Sequence, residues 1–594
     1  MCGINGQLSF GAPIEATLFN ARRDTLRHRG PDDANSWFSS NQRIALGHRR
    51  LSLLDLSAAG RQPMCNETGS IWLTFNGEIY NYQELRTLLQ KRGHIFQSTT
   101  DSEVLLHGYE EWGTDLLQYI KGMFAFGIWD ERQKRLLLAR DRFGIKPLYY
   151  GWQGDQFYFA SELKAIIHGL PQKPELNRSA VCDFLTYRYV PCPKTIWEGL
   201  YKLPPAHYLL LDFHDVQPRT IIKKYWNLVI KNQQIPDNEA IDNVNDLLQR
   251  SVREHLRSDT QLGAFLSGGY DSSALVYYML QQQYAPPTFS IGFKDWAQSE
   301  HHYAQIVAHH LDVENEACIV GEEQFALLDT LAYYYDEPLA DISIIPTYMV
   351  SQLARTRTKA VFSGEGADEI FAGYTWQKDI ATYNKTAAYS AFIQQKVGFG
   401  HNIFVERYAE AMSMGRFSHN NLANYLHPDF QDAIPPDSDW FYASHYQPLK
   451  NPLKAFQYLD IHTFMSELVL TKIDRASMAH SLEVRVPFLD HELVSYLFQL
   501  HKKVYFRANI TKYLLHENIK KVLPAAILQR KKQGFVGPDK YYMNIAWYKE
   551  TLTGGKAIQE GIVSAAGLRQ LIEQQDHWRL WKLTILEKWL QTWY

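Results

Sequence analysis

The stretch from Leu262 to Leu280 constrains the fold more than any other part of the chain. Leu262-Gly263-Ala264-Phe265-Leu266 is apolar and strand-like, Ser267-Gly268-Gly269-Tyr270-Asp271-Ser272-Ser273 is a glycine-rich turn, and Ala274–Leu280 reads as a helix. Strand, glycine turn and helix in that order begin a βαβ unit. The backbone N–H groups at the helix start make a cradle for anions such as phosphates. The turn is not a Walker A loop, because no Gly-Lys-Ser/Thr follows. Its serines suit phosphate oxygens, and Asp271 offers a hard oxygen ligand for Mg²⁺. Strand-like runs follow at βαβ spacing, Thr288–Phe293, Ala317–Val320 and Ala360–Phe362, with helical patterns between them. This predicts a parallel sheet with a nucleotide at the carboxyl ends of its strands.

After the last of these runs comes Ser363-Gly364-Glu365-Gly366-Ala367-Asp368-Glu369-Ile370-Phe371-Ala372-Gly373-Tyr374. Three carboxylates beside glycines would repel one another in a plain turn, so a cation or a cationic substrate is expected among them.

The start of the chain carries a different chemistry. Removal of Met1 would leave Cys2 with both a thiol and a free α-amine. Such an amine has a pKa of about 7.7–8.0 and is partly neutral near pH 7, which makes it a built-in base. A nucleophile paired with an N-terminal amine is an established way to cleave amides. Up to about residue 215 the pattern favours short strands: Ile71–Phe75 ending in the turn signal Asn76-Gly77, then Gly122–Trp129 and Leu136–Arg140. Glu84–Leu89 shows helical leucine spacing. Two sheets with helices outside, a layered α+β domain, are expected.

At 594 residues the chain exceeds one hydrophobic core, so two large units or three smaller ones are expected. Its 45% hydrophobic and 21% charged residues are those of an ordinary globular protein. A net charge of −3 gives no attraction for nucleic acid or an anionic membrane. No apolar run approaches the roughly 18 residues of a membrane span, and the N-terminus lacks a signal-peptide pattern. Cysteines at 2, 65, 182, 192 and 318 form no C-x-x-C pair, which argues against disulfides or structural zinc and for a reducing, cytoplasmic setting. His301-His302 and His309-His310 have no carboxylate at ligand spacing and read as surface residues.

Polar clusters close the apolar runs of the first 215 residues: Arg27–Asp32, His48–Ser52, Asn76–Asn81 and Thr99–Glu103. With Cys2 they resemble, in order and spacing, the glutaminase domain of class II glutamine amidotransferases, the N-terminal-nucleophile hydrolases. The resemblance implies a four-layer αββα sandwich over residues 2–215. It implies that Arg50, with Leu51, Ser52, Leu53 and Leu54, binds glutamine, the guanidinium meeting its carboxylate. Glu78 and Asp101 would meet its ammonium, and the Asn76 side chain and Gly77 N–H would form an oxyanion hole. Cys2 would attack, form a glutamyl thioester and release ammonia. Arg29 and Asp32 read as structural, holding the loop that frames the pocket.

The Ser267–Ser273 turn resembles the pyrophosphate loop of ATP pyrophosphatases. Taken with Cys2-Gly3, Asn76-Gly77-Glu78, Ser363–Tyr374, Ser481–Asp490 and Arg530–Phe535, it resembles glutamine-hydrolysing asparagine synthetases almost from end to end. That resemblance implies a Rossmann-like synthetase domain over 241–594; the prolines between about 190 and 240 place a linker at 216–240, and the helical pattern at about 375–460 reads as an insertion. Leu266, Ser267, Gly268, Gly269, Asp271, Ser272, Ser273, Ile291, Ser363 and Gly364 would contact ATP. Asp271 and Asp368 would hold Mg²⁺. Glu365 would support formation of an acyl-adenylate and its attack by ammonia, and Lys532 would neutralise charge growing on the phosphates. A homodimer is compatible with the resemblance, although no residue pattern specifies one.

Tyr270 stands where the family has a small aliphatic residue, so its phenol either points out of the cradle or crowds the triphosphate. Three functions are open at this level. The first is asparagine synthesis from aspartate, ATP and glutamine. The second is the same chemistry on another carboxylate, a sugar acid or natural-product intermediate. The third is a glutaminase or interaction protein with an impaired synthetase half. The first accounts for the most motifs and is the expectation adopted. A tRNA-modifying ATP pyrophosphatase is disfavoured by the acidic balance and the glutaminase half.

Overall fold

Alternation of side chains along the early strands decides how the N-terminal half is layered. The computed structural model describes residues 1–213, 218–382, 403–530, 534 and 537–594. Its first strands are β1 Gly3–Ser9, β2 Asp33–Phe38, β3 Ile44–Arg50, β4 Met64–Cys65, β5 Ile71–Ile79 and β6 Gly122–Asp130. They are followed by β7 Arg135–Arg140, β8 Tyr149–Gln153, β9 Gln156–Ala160, β10 Leu200–Lys202, β11 His207–Asp212 and β12 Arg219–Lys224. Two sheets result, ordered β10-β8-β9-β1-β3-β2 and β12-β11-β7-β6-β5-β4, with antiparallel pairing.

On β3, Ile44 and Leu46 join Trp129, Leu138 and Phe159 between the sheets, whereas Ala45 packs with Phe19 of the helix Ala16–Asp24. On β7, Leu136 and Leu138 face the same inter-sheet core. Leu137 and Ala139 face Leu85 and Val104 on the helices Tyr82–Lys91 and Glu103–Trp112. The period of two therefore covers both faces of each sheet. The layers run helix, sheet, sheet, helix, the expected αββα sandwich.

Two local expectations are corrected. Asn76-Gly77 is not a turn: β5 continues through it to Ile79, paired with β6 along its whole length. Glycine serves close approach instead, because a Cβ on Gly77 would lie 2.1 Å from the Met123 carbonyl oxygen. The stretch 216–240 also holds β12, hydrogen-bonded to β11, so the second sheet extends to Lys224 before any connection begins.

The C-terminal half is built on a parallel sheet of β13 Leu262–Phe265, β14 Thr288–Phe293, β15 Asn315–Val320, β16 Ala360–Phe362 and β17 Glu483–Arg485. Its order is β15-β14-β13-β16-β17. The chain moves outward from β13 to β15 and then returns to the other flank of β13 at β16. That reversal leaves a crevice at the carboxyl ends of β13 and β16, where ligands bind in sheets of this kind. β17 escapes sequence reading because two of its three residues are charged. Glu483 and Arg485 are nevertheless 0% exposed, and Arg485 Nε donates to Glu483 Oε1 at 2.6 Å. Between 375 and 460 the described residues form helices and no strand, and 383–402 lie outside them. The helix Pro452–Asp460 runs on through the π-helical Ile461–Val469 into Leu470–Met478.

The two halves meet over buried charge. Arg29 donates to Asp474 at 2.8 and 3.1 Å, to Glu162 at 2.8 Å and to the Cys2 carbonyl at 3.1 Å. Arg475 pairs with Glu162 at 2.8 Å and Asp336 at 3.1 Å. Truncating one member of such a group leaves its partners charged and dry. Arg29→Met is therefore expected to cost about 3–5 kcal/mol. Calorimetry should show this as a lower first unfolding transition, with the folded-state circular dichroism unchanged.

Candidate active sites

Because β1 starts at Gly3, Cys2 lies at the end of a central strand, facing Asn76 on β5 of the other sheet. The Cys2 N–H donates to Asn76 Oδ1 at 2.9 Å. That bond orients the amide and leaves Asn76 Nδ2 buried without a partner, a donor kept dry and unused. A cavity of about 30 Å³ lies beside Cys2; Phe75 and Gly77 line it, whereas Asn76 between them does not. Arg50, Leu51, Leu53 and Leu54 form one wall, Gly77, Glu78 and Asp101 another, and Met1 and Cys2 a third. Ser52 does not line it. Its N–H donates to Asp32 Oδ2 at 2.9 Å, and Lys359 holds the same oxygen at 2.7 Å, so Asp32 staples the loop as the sequence suggests.

The charges in this pocket are incompletely matched. Arg50 donates to the carbonyls of Ser57 at 3.0 Å and Leu54 at 3.2 Å, which fix it without neutralising it. Burial pushes the Asp101 carboxyl up to about 6, although it accepts the Ile79 N–H at 2.8 Å. Burial also holds Glu78 well above the usual carboxylate range; Glu483 adds to the shift and Arg485, 3.2 Å away, opposes it. A cationic ligand between Glu78 and Asp101 would reverse both shifts. The Cys2 thiol is raised by burial, against the N-terminal amine and Arg50. The Met1 amine itself donates to Glu483 Oε2 at 2.7 Å.

A second cavity, of about 630 Å³, opens at the crevice of the parallel sheet. Ser267, Gly268, Gly269, Asp271 and Ser272 form its floor, while Leu266, Ile291, Ser363 and Gly364 line the adjoining wall. Gly268 adopts φ +71°, and a Cβ there would lie 2.5 Å from the Tyr303 carbonyl carbon, so glycine is required beneath the helix His301–Leu311. Ser273 lies elsewhere: it is 0% exposed, on the inward face of the helix Tyr270–Gln281. Tyr270 lines this cavity too, with its hydroxyl tied to the Leu528 carbonyl at 2.7 Å. Lys532 lies outside the described residues.

Asp271 and Asp368 converge on one positive centre. Lys512 Nζ lies 2.5 Å from Asp271 and 2.8 Å from Asp368. Burial works against the Lys512 charge, and the two carboxylates outweigh it. Two carboxylates around a shared cation are also the donor chemistry of a hard divalent ion, so the pair fits Mg²⁺. Glu365 opens onto the same cavity. Burial raises its pKa, Lys472 opposes, and Asp368, Asp341 and Asp271 add repulsion. Glu369, the third carboxylate of that segment, turns into the core instead. It is 1% exposed, accepts the Tyr374 hydroxyl at 2.7 Å, and is pushed up to about 8 by burial.

Comparison with known proteins matches each half of the chain separately. Residues 1–226 match a glutamine amidotransferase domain, and residues 243–591 match asparagine synthase. The chain belongs to the asparagine synthase family. It is 32% identical over 573 residues to "Asparagine synthetase [glutamine-hydrolyzing] 1" of Bacillus subtilis (strain 168), across 91% of this chain and 88% of that one. "Asparagine synthetase [glutamine-hydrolyzing] 3" of the same organism is 30% identical, across 97% and 94%. A Gibberella zeae protein named "Amidase chry2" is 28% identical, across 91% and 90%.

Within this family member, nothing in the sequence marks Lys512, which is a lone cation before an ordinary helix. Glu483 and Arg485 lie inside the Ser481–Asp490 motif, where only the resemblance gave a signal. Among the described residues one group has metal-ligand character, His94, His107 and Glu110, and none of the three lines either cavity.

Asp101 supplies a pH test. Its carboxyl rises from 3.8 to about 6 on folding, so the folded protein binds that proton more tightly. The group's contribution to stability therefore falls as pH climbs from about 4 to about 6. In Asp101→Asn that part of the slope should vanish when denaturant unfolding is followed across the same window.

Proposed function

We propose that the protein makes asparagine from aspartate, ATP and glutamine, as a glutaminase and an acyl-adenylate-forming synthetase in one chain. The observation that carries this reading is the pairing of two cavities in one molecule. One sets a dry Asn76 amide beside Cys2, and the other sets a glycine-rich phosphate cradle beside Glu365 and two converging aspartates. Residues 2–215, continued by β12, do the first job. Residues 241–594, including the helical insertion at about 375–460, do the second.

Loss of Met1 is part of the proposal. A cavity of about 30 Å³ has room for one or two waters, not for an amino acid. Met1, 2% exposed, forms part of its wall. Its removal enlarges the pocket and frees the Cys2 amine. Arg50 then takes glutamine's carboxylate, and Glu78 and Asp101 take its ammonium. The Cys2 sulfur attacks the side-chain amide carbon, and its proton passes through the α-amine to the departing nitrogen. Asn76 Nδ2 and the Gly77 N–H receive the oxyanion. Ammonia leaves, and water then hydrolyses the thioester to glutamate.

In the second cavity ATP rests its phosphates over Ser267, Gly268, Gly269 and Ser272, with Leu266, Ile291, Ser363 and Gly364 around the nucleoside. Asp271 and Asp368 would hold Mg²⁺, which when bound supplies charge neutralisation for the pyrophosphate. The side-chain carboxylate of aspartate attacks the α-phosphorus and pyrophosphate leaves. Ammonia then attacks the acyl carbon and AMP leaves. Glu365, with its raised pKa, takes the proton that the attacking nitrogen sheds. Lys532 joins this set by resemblance, as a compact cation beside the phosphates. Joining the two sites keeps ammonia neutral and water away from the adenylate. No described helix is long and apolar enough to cross a membrane, and the five cysteines are free. We assign the reaction to the cytoplasm, where such thiols stay reduced.

The deciding experiment is ATP-dependent pyrophosphate release measured with aspartate against a panel of other carboxylic acids. Cys2→Ala is expected to abolish asparagine formation from glutamine while leaving formation from ammonium salts intact. Continued use of glutamine by that variant would refute the assignment. Asp271→Asn should lower pyrophosphate release by roughly 100-fold or more, the scale of a lost charge-stabilising group, while glutamine hydrolysis continues.

A further inference from the structure

Arg188 is 8% exposed, yet among the described residues its guanidinium donates only to the Met414 sulfur, at 3.2 Å, and its Nε is buried with no partner. Several other buried arginines have oxygen acceptors even where one nitrogen is left over. Arg29 and Arg485 have carboxylates at 2.8 and 2.6 Å, and Arg140 donates to three carbonyls at 2.8 to 3.0 Å. A guanidinium has five donors, and desolvating it without acceptors is costly. The backbone adds strain, because Arg188 sits at φ +75°, a left-handed conformation uncommon for residues with a side chain. That conformation ends the helix Arg178–Tyr187, and Arg188 lines the 630 Å³ cavity together with Glu365 and the phosphate cradle.

Asp341 lines the same cavity and is also 8% exposed. Burial would raise its carboxyl, but Lys472 and Arg188 outweigh that and keep it ionised. Its ion-pair partner is Lys472, at 3.8 Å, and not Arg188. The main chain ties the two together, because the Ala340 N–H donates to the Arg188 carbonyl at 2.8 Å. A cation from the N-terminal half and an anion from the C-terminal half thus face one cavity without neutralising each other.

We propose that Arg188 and Asp341 are the receptor for the head group of a zwitterionic amino acid. Arg188 takes the α-carboxylate, Asp341 takes the α-ammonium, and the side-chain carboxylate is left to reach the phosphate cradle. This rests on the reading of the cavity as an acyl-adenylate site and adds what that site selects. A guanidinium meets a carboxylate through two parallel hydrogen bonds. An acceptor lacking the α-carboxylate leaves Arg188 without a counter-charge, and one lacking the ammonium leaves Asp341 with Lys472 alone at 3.8 Å, which disfavours sugar acids and simple dicarboxylates.

The test is a cycle of enzyme and substrate on the full chain. Pyrophosphate release is measured with aspartate, with succinate, which lacks the ammonium, and with 3-aminopropanoate, which lacks the α-carboxylate. Wild-type protein should favour aspartate over each analogue by roughly 10- to 100-fold in kcat/KM, the worth of one charged hydrogen bond. Arg188→Met should lose the preference over 3-aminopropanoate and keep that over succinate, and Asp341→Asn should do the reverse. Arg188→Lys, which keeps the charge without the fork, should retain part of the preference and stands in if the Met variant fails to fold. Glutamine hydrolysis by the same preparations reports intact folding. An undiminished preference over 3-aminopropanoate in the Arg188 variants overturns the proposal and leaves adenylation standing. Wild-type protein that releases pyrophosphate with none of the three acids overturns the reading of the cavity, and the receptor with it.

Discussion

Glu483 accepts the Arg485 guanidinium at 2.6 Å and, while Met1 is in place, its amine at 2.7 Å, and Arg485 reaches across to Glu78 at 3.2 Å. These groups lie between the two halves of the chain, almost wholly out of water. Buried charges of this kind hold a structure in register, because each is tolerable only while its partners stay in place. Arg29 continues the seam by gripping Asp474 with one side of its guanidinium and the Cys2 carbonyl with the other. The position of the Cys2 backbone thus depends on a helix of the opposite half.

That helix, Leu470–Met478, serves both sites at once. Asp474 and Arg475 face the seam, and Lys472 faces the synthetase cavity, where it opposes the raised pKa of Glu365. A displacement of this helix would alter the support of Cys2 and the electrostatics of the second site together. Buried polar atoms without a hydrogen-bond partner occur in several parts of the molecule, the seam included, and Asn76 Nδ2 beside Cys2 and Arg188 Nε at the larger cavity are two of them. Each is unfavourable until an acceptor is supplied.

Much of the architecture was legible in the chain. The period-two runs of β6 and β7 and the strand–glycine–helix string at 262–280 have local causes, so sequence reading found them with small errors at the ends. Asn76-Gly77 misled because an Asn-Gly pair is a turn signal only when nothing packs against it, and here β6 lies too close for a side chain at Gly77. β17 was hidden because charge normally marks a surface; inside, Glu483 is held by Arg485 and by the amino terminus 482 residues away. Ser52 and Ser273 carried the right chemistry for their motifs, yet one faces Asp32 and the other the core. A motif fixes spacing along the chain and not the direction in which each side chain points.

The sequence by itself determined the layered and parallel sheets, the cysteine at position 2, the glycine-rich turn and the crowded carboxylates, because periodicity, turn chemistry and charge repulsion act over a few residues. Only the tertiary structure decided which charges meet. It brought Lys512 between Asp271 and Asp368, set Glu483 against the chain's own amine, and left Arg188 facing Asp341 across a cavity. Electrostatic energy depends on distance and burial in three dimensions, and neither quantity is written in the order of the residues.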